Sequence, residues 1–352
     1  MANVRDVAKL AHSSVATVSA VINNSRYVSP GLHARVLRAI KRLNYRPDGI
    51  ARSLSTRRTK TLGVIIPNIL SPVYPPIVKA IEREAMRDGF SLLLATSDDD
   101  PARERELIKL MGEKRVDGLI ISVAGEGNVD ELEALSNRGV HVVLVSRAVR
   151  KSGLFDTVVS DYLHGSYIAV MHLFDSGCGD IGILVLTPRT SSERDRIAGY
   201  ELAHRKRGVA IRPDLTCRCV SSQVPNSAAI CYAATTELLC LPRPPDGLFV
   251  ANQTLMINAL RALSDLGLRI PNDVAVIGFG DDPWLERLAV PVSAIAEQRE
   301  QLGARAAQLL LRRLHGDRPP NKPVVEVVPT RMVVRGSTAK RSLPEEFSLS
   351  PR

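Results

Sequence analysis

Two hydrophobic rhythms divide the chain near residue 60. Before it, Val4, Val7, Ala8 and Ala11 recur at three- and four-residue spacing, which predicts a helix over 3–11. Ser14 is placed to cap a second helix, Val15 to Asn23, whose Val18, Val21 and Ile22 are apolar. Ser29-Pro30 marks a third start, a hydroxyl cap followed by proline at the first helical position. That helix runs to about Leu43 and is expected to bury Leu32, Val36, Leu37, Ile40 and Leu43. Only His12-Ser13 separates the first two helices, a break short enough to fix the second as a protruding reader in a helix-turn-helix.

After residue 60 short apolar runs alternate with amphipathic stretches. The runs at 62–66, 91–95, 117–121, 140–145, 156–159, 181–186, 246–251 and 273–279 read as buried parallel strands. Helical periodicity fills 74–88, 102–113, 163–176, 194–207, 227–240, 253–266 and 299–314. Such alternation predicts parallel sheets wound on both faces, and a stretch this long predicts two lobes rather than one sheet.

Charge sharpens the division. Residues 1–60 carry twelve Lys or Arg against Asp6 and Asp48, which accounts for the whole +10 of the 352-residue chain; the remainder is neutral. A compact basic module on a neutral body points to a polyanion, with nucleic acid the first candidate. No run of about 18 apolar residues exists and the first ten residues lack an apolar leader, so a cytoplasmic protein away from membranes is expected. The five cysteines show no zinc-ligand spacing and are expected to stay reduced, with no metal and no cofactor. Neither a glycine-rich phosphate loop nor a nucleophile-elbow or zinc-protease motif occurs, so no enzyme is expected. A secreted solute-binding protein would not carry the basic module.

The stretch VRDVAKLAHSSVATVSAVINNSRYVSPGLHARVLRAIKRLNYRPDGIARSL resembles the DNA-binding headpiece of the lactose-repressor (LacI/GalR) family over about fifty residues with its spacings kept. The resemblance implies that Val15, Ala16 and Ala20 face the major groove, with Thr17, Ser19 and Asn23 near the DNA backbone. His12 stands where the family usually has glycine. Ala20 stands where it usually has an arginine that reads guanine. Three methyl-bearing readers suit thymine methyl groups; weak base readout with phosphate contacts dominating is the other reading. Residues 48–57, DGIARSLSTR, resemble the family's hinge helix, which folds on the operator. By that likeness Leu54 wedges into the minor groove, and Arg52 or Ser53 meets the groove wall.

The body resembles the same family through TLGVIIPNILSPVYPPIVKAIEREAMRDGFSLLL, RVDGLIIS, VVSDYLHG, ERDRIAGY, LFVANQTLMINALRALSDLGLRIPNDVAVIGFGDD and EQREQLGARAAQLLLRRLHG. The implied fold class is an all-α helix-turn-helix headpiece plus an α/β two-lobed periplasmic-binding-protein-like domain of doubly wound parallel sheets. The implied domains are a headpiece over 1–47, a hinge over 48–60, an effector and dimerisation body over 61–336 and a disordered tail over 337–352. Crossovers between lobes are expected near 160, 291 and 323, so that lobe 1 takes 61–160 and 292–322, and lobe 2 takes 161–291 and 323–336. Effector candidates are Asn68, Ser71, Tyr74, Ser122, Ser146 and Arg147 from lobe 1. Lobe 2 offers Arg196, Gln253, Gly280 and Trp284, the last either stacking on a sugar or sitting in the core. Relatives that bind neutral sugars usually carry Asp where Gln253 and Gly280 stand. With Arg147 and Arg196 retained, the cleft is expected to be cationic and its ligand a sugar, sugar acid or sugar phosphate, with the anions favoured. The implied function is a sequence-specific transcriptional regulator, a repressor by preference, that binds a palindromic double-stranded DNA operator as a homodimer and is controlled by that effector. The alternative is a DNA binder that has lost its effector response.

Overall fold

The computed structural model describes residues 2–23, 26–45, 58–150, 153–220, 226–317 and 322–339. It divides into two units, residues 1–60 and 61–352. The first contains α1 (Val4–Leu10), α2 (Val15–Asn23) and α3 (Pro30–Arg42). Asn3 and Asp6 cap α1 reciprocally: Asn3 Oδ1 accepts from the Arg5 and Asp6 amides at 2.8 and 3.2 Å, and Asp6 Oδ2 accepts from the Asn3 amide at 2.9 Å. Ser14 Oγ accepts from the Thr17 amide at 3.1 Å and so opens α2. Val7, Ala8, Ala11, Val18, Val21, Val36 and Ala39 form the core of this unit. Leu37, expected inside, is 48% exposed; Ala39 takes the inward position instead. His12, in the turn between α1 and α2, sits at φ +48°, the left-handed region a glycine would enter without strain.

The second unit holds two six-stranded sheets. One orders its strands β11-β5-β4-β3-β1-β2, all parallel, from β1 (Thr61–Ile66), β2 (Ser91–Thr96), β3 (Gly118–Ile121), β4 (His141–Val145), β5 (Asp156–Ser160) and β11 (Val325–Val328). Helices α4 (Tyr74–Arg87), α5 (Pro101–Glu113), α6 (Val129–Asn137) and α11 (Arg299–His315) belong to this lobe. The other orders β12-β10-β9-β8-β6-β7, from β6 (Ile181–Leu186), β7 (Thr216–Cys219), β8 (Gly247–Val250), β9 (Ala275–Phe279), β10 (Ser293–Ala296) and an antiparallel edge, β12 (Arg331–Val333). Around it lie α7 (Tyr162–Asp175), α8 (Ser191–Arg207), α9 (Ser227–Leu239) and α10 (Gln253–Asp265). Strands such as β1, β3 and β8 are buried along nearly every residue, because helices cover both faces and leave no polar side to alternate with.

The first crossover falls after β5, but the other two do not lie near 291 and 323. Ser293–Ala296 still pairs with β9, so the chain leaves the second sheet only before α11. Val325–Val328 pairs with β5 in the first sheet, so the last crossover lies between β11 and β12. Apolar alternation marks a strand but not the sheet that recruits it. The expected tail boundary moves as well. Ser337 and Thr338 are 0% and 3% exposed, and Ser337 Oγ donates to the Val276 carbonyl at 2.6 Å. Residues 340–352 lie outside the described residues.

Inside the first lobe, Arg313 of α11 makes a forked pair with Asp156 at 2.8 and 2.9 Å. The Val324 amide also donates to Asp156 Oδ1 at 2.8 Å. That carboxylate therefore ties the start of β5, the end of α11 and the approach to β11 into one buried knot.

Candidate functional site

Both sheets reverse their strand order once, at β1/β3 and at β6/β8, and an α/β sheet opens a crevice at the carboxyl ends of the strands beside such a reversal. The two sets of strand ends meet over a cleft with about 660 Å³ of open space. From the first lobe come Asn68, Ser71 and Tyr74 after β1, Asp99 after β2, and Ser146 and Arg147 after β4. The second lobe contributes Ser192, Glu193 and Arg196 from α8, Asn252 and Gln253 after β8, and Phe279 at the end of β9. Tyr162 and Glu297 line it beside two of the crossovers.

Arg196 is the most constrained of these groups. It is 7% exposed, its guanidinium carbon lies 4.3 Å from the Tyr162 ring centroid and 4.5 Å from that of Phe279, and its Nε has no hydrogen-bond partner. Two aromatic faces hold it flat in cation–π contact, so its unused donors are fixed before any ligand arrives. Gln253 is 8% exposed, and both ends of its amide lack partners. Buried polar atoms left unpaired cost about 1–3 kcal/mol each. A ligand that pairs them recovers that cost.

Arg147 behaves differently. It is bound to Asp99, and its Nη1 also donates to the Val123 carbonyl at 3.0 Å. Burial disfavours its charge, yet the Asp99 and Glu193 carboxylates outweigh that and hold its pKa above the ordinary arginine value. The cleft expected to be cationic is not. Asp99, Glu193 and Glu297 stand against Arg147 and Arg196, a formal balance of −1 among the lining residues. Glu193 is already occupied, accepting from the Thr190 amide at 2.9 Å as the cap of α8. Glu297 accepts from Ser160 Oγ at 3.3 Å. Burial pushes the Tyr74 and Tyr162 phenols up, so both remain neutral hydroxyls.

Not every other expected residue lines the cleft. Ser122 is fully buried behind Tyr74, whose hydroxyl it meets at 3.2 Å, and supports that phenol without lining the cleft. Ser146 lines it at φ +65°, its Oγ 3.0 Å from the Tyr162 hydroxyl. Gly280 is not a lining residue. It lies at φ +102°, and a Cβ there would fall 1.7 Å from Gln253 Nε2, so the missing side chain is the space the glutamine fills. Trp284 packs against the core of the second lobe, not the ligand space. Asp99, Tyr162, Phe279 and Glu297 were not anticipated. Each follows a strand end or a crossover, the position rule that would have found them.

On the headpiece, Val15 is 42% exposed, and Ala16 and Ser19 are exposed beside it on α2. Thr17 is half-buried, with its hydroxyl 2.9 Å from Ser14 Oγ, so it serves the cap. Ala20, expected to face the groove, is only 3% exposed, because its position on α2 is turned inward while Ala16 and Ser19 are turned out. Asn23 ends α2, its side chain outside the described residues, as are Arg52, Ser53 and Leu54. Among the described residues no helix is long and apolar enough to cross a membrane, and no cluster of His, Cys, Asp or Glu is arranged to hold a metal.

A three-helix basic reader followed by a two-lobed body with a cleft at its strand ends defines a ligand-responsive DNA-binding regulator. Residues 3–48 match the profile of "Bacterial regulatory proteins, lacI family", and residues 170–338 that of a "Periplasmic binding protein-like domain". The HTH-type transcriptional repressor PurR of Haemophilus influenzae (strain PittEE) is 32% identical over 314 residues, covering 89% of this chain and 91% of that protein. A "transcriptional regulator CelR-cellobiose complex" superposes with TM-score 0.71 at 27% identity, over 96% of this chain and all of that one. The lac repressor dimer bound to operator and the anti-inducer ONPF shares the fold with TM-score 0.82 at 23% identity, over 96% of this chain and 99% of that one. The chain belongs to the LacI family. It is a DNA-binding transcriptional repressor.

Proposed function

We propose that this repressor takes a neutral, hydroxyl-rich, carbohydrate-like effector in the cleft between its lobes, and that its effector changes operator affinity. The carrying observation is the pairing of a preorganised Arg196 with the unpartnered amide of Gln253 in a lining whose formal charge is −1. Guanidinium and amide donors suit hydroxyl and ring oxygens, the amide oxygen of Gln253 accepts from a hydroxyl, and the faces of Tyr162 and Phe279 are already taken by Arg196. The cellobiose complex of CelR is consistent with this class of ligand. A second reading, a carboxylate seated on Arg196, is favoured because among the described residues no carboxylate lies within ion-pair distance of that guanidinium.

The operator reader is the exposed face of α2, with Val15, Ala16 and Ser19 toward the groove, and the basic excess of residues 1–60 supplies phosphate contacts. Two copies on a two-fold operator are the expected assembly, as in the lac repressor dimer. Ligand acts by favouring one arrangement of the lobes, and only one arrangement presents the two headpieces at operator spacing. Isothermal titration against neutral mono- and disaccharides and their uronic acids tests the effector class. Binding confined to the acids overturns the neutral reading, and binding lost in Arg196→Met supports the cleft. Selection of operators from random DNA with and without the ligand found then gives the half-site and the sign of the response.

A further inference from the structure

Away from the effector cleft, the second lobe carries another cavity, with about 860 Å³ of open space between α8 and the sheet at its β7 edge. Its floor belongs to the core. Ile183 of β6 and Tyr200 of α8 are 1% and 2% exposed, and the Tyr200 hydroxyl donates to the Ile181 carbonyl at 2.8 Å. Ile197 and Ile211 extend the apolar wall. The sequence of β7 explains the hollow. Alternation along TCRC turns Cys217 and Cys219 toward the apolar cluster of α9 and puts Thr216 and Arg218 on the opposite face, in register with Ile183 and Val185. The apolar face of the sheet therefore ends at β6, and space is left where an apolar β7 would pack. Glu201 of α8 and Arg218 of β7, both exposed, line this space from different elements. Among the described residues neither side chain has an ion-pair partner, whereas Arg212 pairs with Asp180 and Asp214 at 3.4 and 2.6 Å.

The geometry points to a second ligand site, one that takes an apolar zwitterion of dipeptide size. Its carboxylate meets Arg218, its ammonium meets Glu201, and its side chains lie on the isoleucines and the Tyr200 ring. Apolar walls with a few converging polar groups are how small-molecule sites are built, and the volume falls in their range of roughly 300–1,000 Å³. A lone organic anion satisfies Arg218 but stands against Glu201; a neutral hydrocarbon pairs neither. A dipeptide carries both charges at the ends of a body with two apolar side chains. The site also has a route to the effector cleft, because α8 serves both spaces: Arg196 lines the cleft and the next residue, Ile197, lines this cavity. An occupant bears on the helix that holds Arg196, which couples the two sites.

The test titrates full-length protein with L-leucyl-L-leucine. One site per chain is expected, with a dissociation constant on the order of 0.1 mM for a ligand of that size. Amidating the carboxylate weakens binding about fivefold, and Arg218→Gln then costs nothing further. Acetylating the amine does the same in relation to Glu201→Gln. Both variants change exposed, unpaired side chains and leave the thermal melt in place. The two blocked dipeptides decide the charge pairing even if a variant misfolds. Amide exchange slows over 197–201 and 211–218 when the dipeptide binds and, through α8, over 192–196. No saturation below about 10 mM, or protection confined to 68–74 and 252–254 in the effector cleft, overturns the site. Octanoate binding as tightly as the dipeptide, with no dependence on Glu201, overturns the zwitterion. Unaltered exchange over 192–196 overturns the connection to the cleft.

Discussion

At Gly280 a single hydrogen atom decides the shape of the cleft wall. Its φ of +102° and the 1.7 Å that would separate a Cβ from Gln253 Nε2 make glycine there a consequence of the glutamine. Gly280→Ala is expected to lower stability by about 1–3 kcal/mol from the strained backbone and to expel the Gln253 amide from its place. Denaturant melting and effector titration read the two effects. Adding Gln253→Ala removes the clash and leaves only the backbone part. Both positions were visible in the sequence as departures from the family's aspartates, but that one makes room for the other was not, because sequence carries neither φ nor a contact across the chain. A second residue-scale prediction concerns His204, 3% exposed between Tyr200 at 4.5 Å and Phe174 at 5.1 Å. Burial lowers its pKa from the usual 6.5, against a weaker opposite effect of the Val209 carbonyl. The folded state therefore prefers the neutral ring. As pH falls through 6.5 the unfolded chain takes up the proton first, so this stabilisation is whole above 6.5 and is lost as pH drops toward the folded value. Urea midpoints at pH 7.5 and 5.5 should differ more in wild type than in His204→Gln.

Glycine sets the spacing of whole elements as well. At Gly199 of α8 a Cβ would lie 2.3 Å from the Leu163 carbonyl oxygen of α7, and at Gly303 of α11 one would lie 2.2 Å from the Ile77 carbonyl oxygen of α4. Both obstacles are backbone and cannot rotate away, so the helices must separate. Gly199→Ala and Gly303→Ala are expected to cost about 1–3 kcal/mol each, the usual range for overpacking, despite the helix propensity that alanine gains. Gly179→Ala, with no atom within 4 Å of its Cβ position, serves as the control in the same thermal melts. The long helices, the buried strands β1, β3–β6, β8 and β9, and the half-exposed edge strand β2 were legible as periodicity. The elements that escaped were short or lacked an apolar run: α6 with nine residues, the edge strand β7 with its sequence TCRC, and the three closing strands β10, β11 and β12. The crossovers went astray with them, since a short strand without a continuous apolar run is assigned by its partner and not by its own pattern.

Across the body, two ion pairs among the described residues join the lobes, and their burial predicts opposite roles. Glu126, after β3, meets Arg194 of α8 at 3.1 Å, with side chains 37% and 27% exposed. Beside it the Ala148 amide donates to Ser191 Oγ at 2.8 Å. Arg299, at the start of α11, meets Asp282 beyond β9 at 2.9 Å and the Pro72 carbonyl at 3.1 Å, with side chains 12% and 6% exposed. Half-exposed pairs contribute about 0–1 kcal/mol, little enough to break and remake each time the lobes move. A buried pair that loses one partner costs about 3–5 kcal/mol, because the other charge stays where water cannot reach it. Two of the Arg299 nitrogens, Nε and Nη2, already lack partners, so the guanidinium has no reserve. Asp282→Ala should therefore lower the stability of the body by roughly the buried amount, and Glu126→Ala by under about 1 kcal/mol. Glu126→Ala should instead appear in effector affinity, by at most about fivefold, since 1 kcal/mol corresponds to that ratio. Equal losses of stability in the two variants would show that the Asp282–Arg299 pair moves with the lobes and is not the fixed side about which they turn.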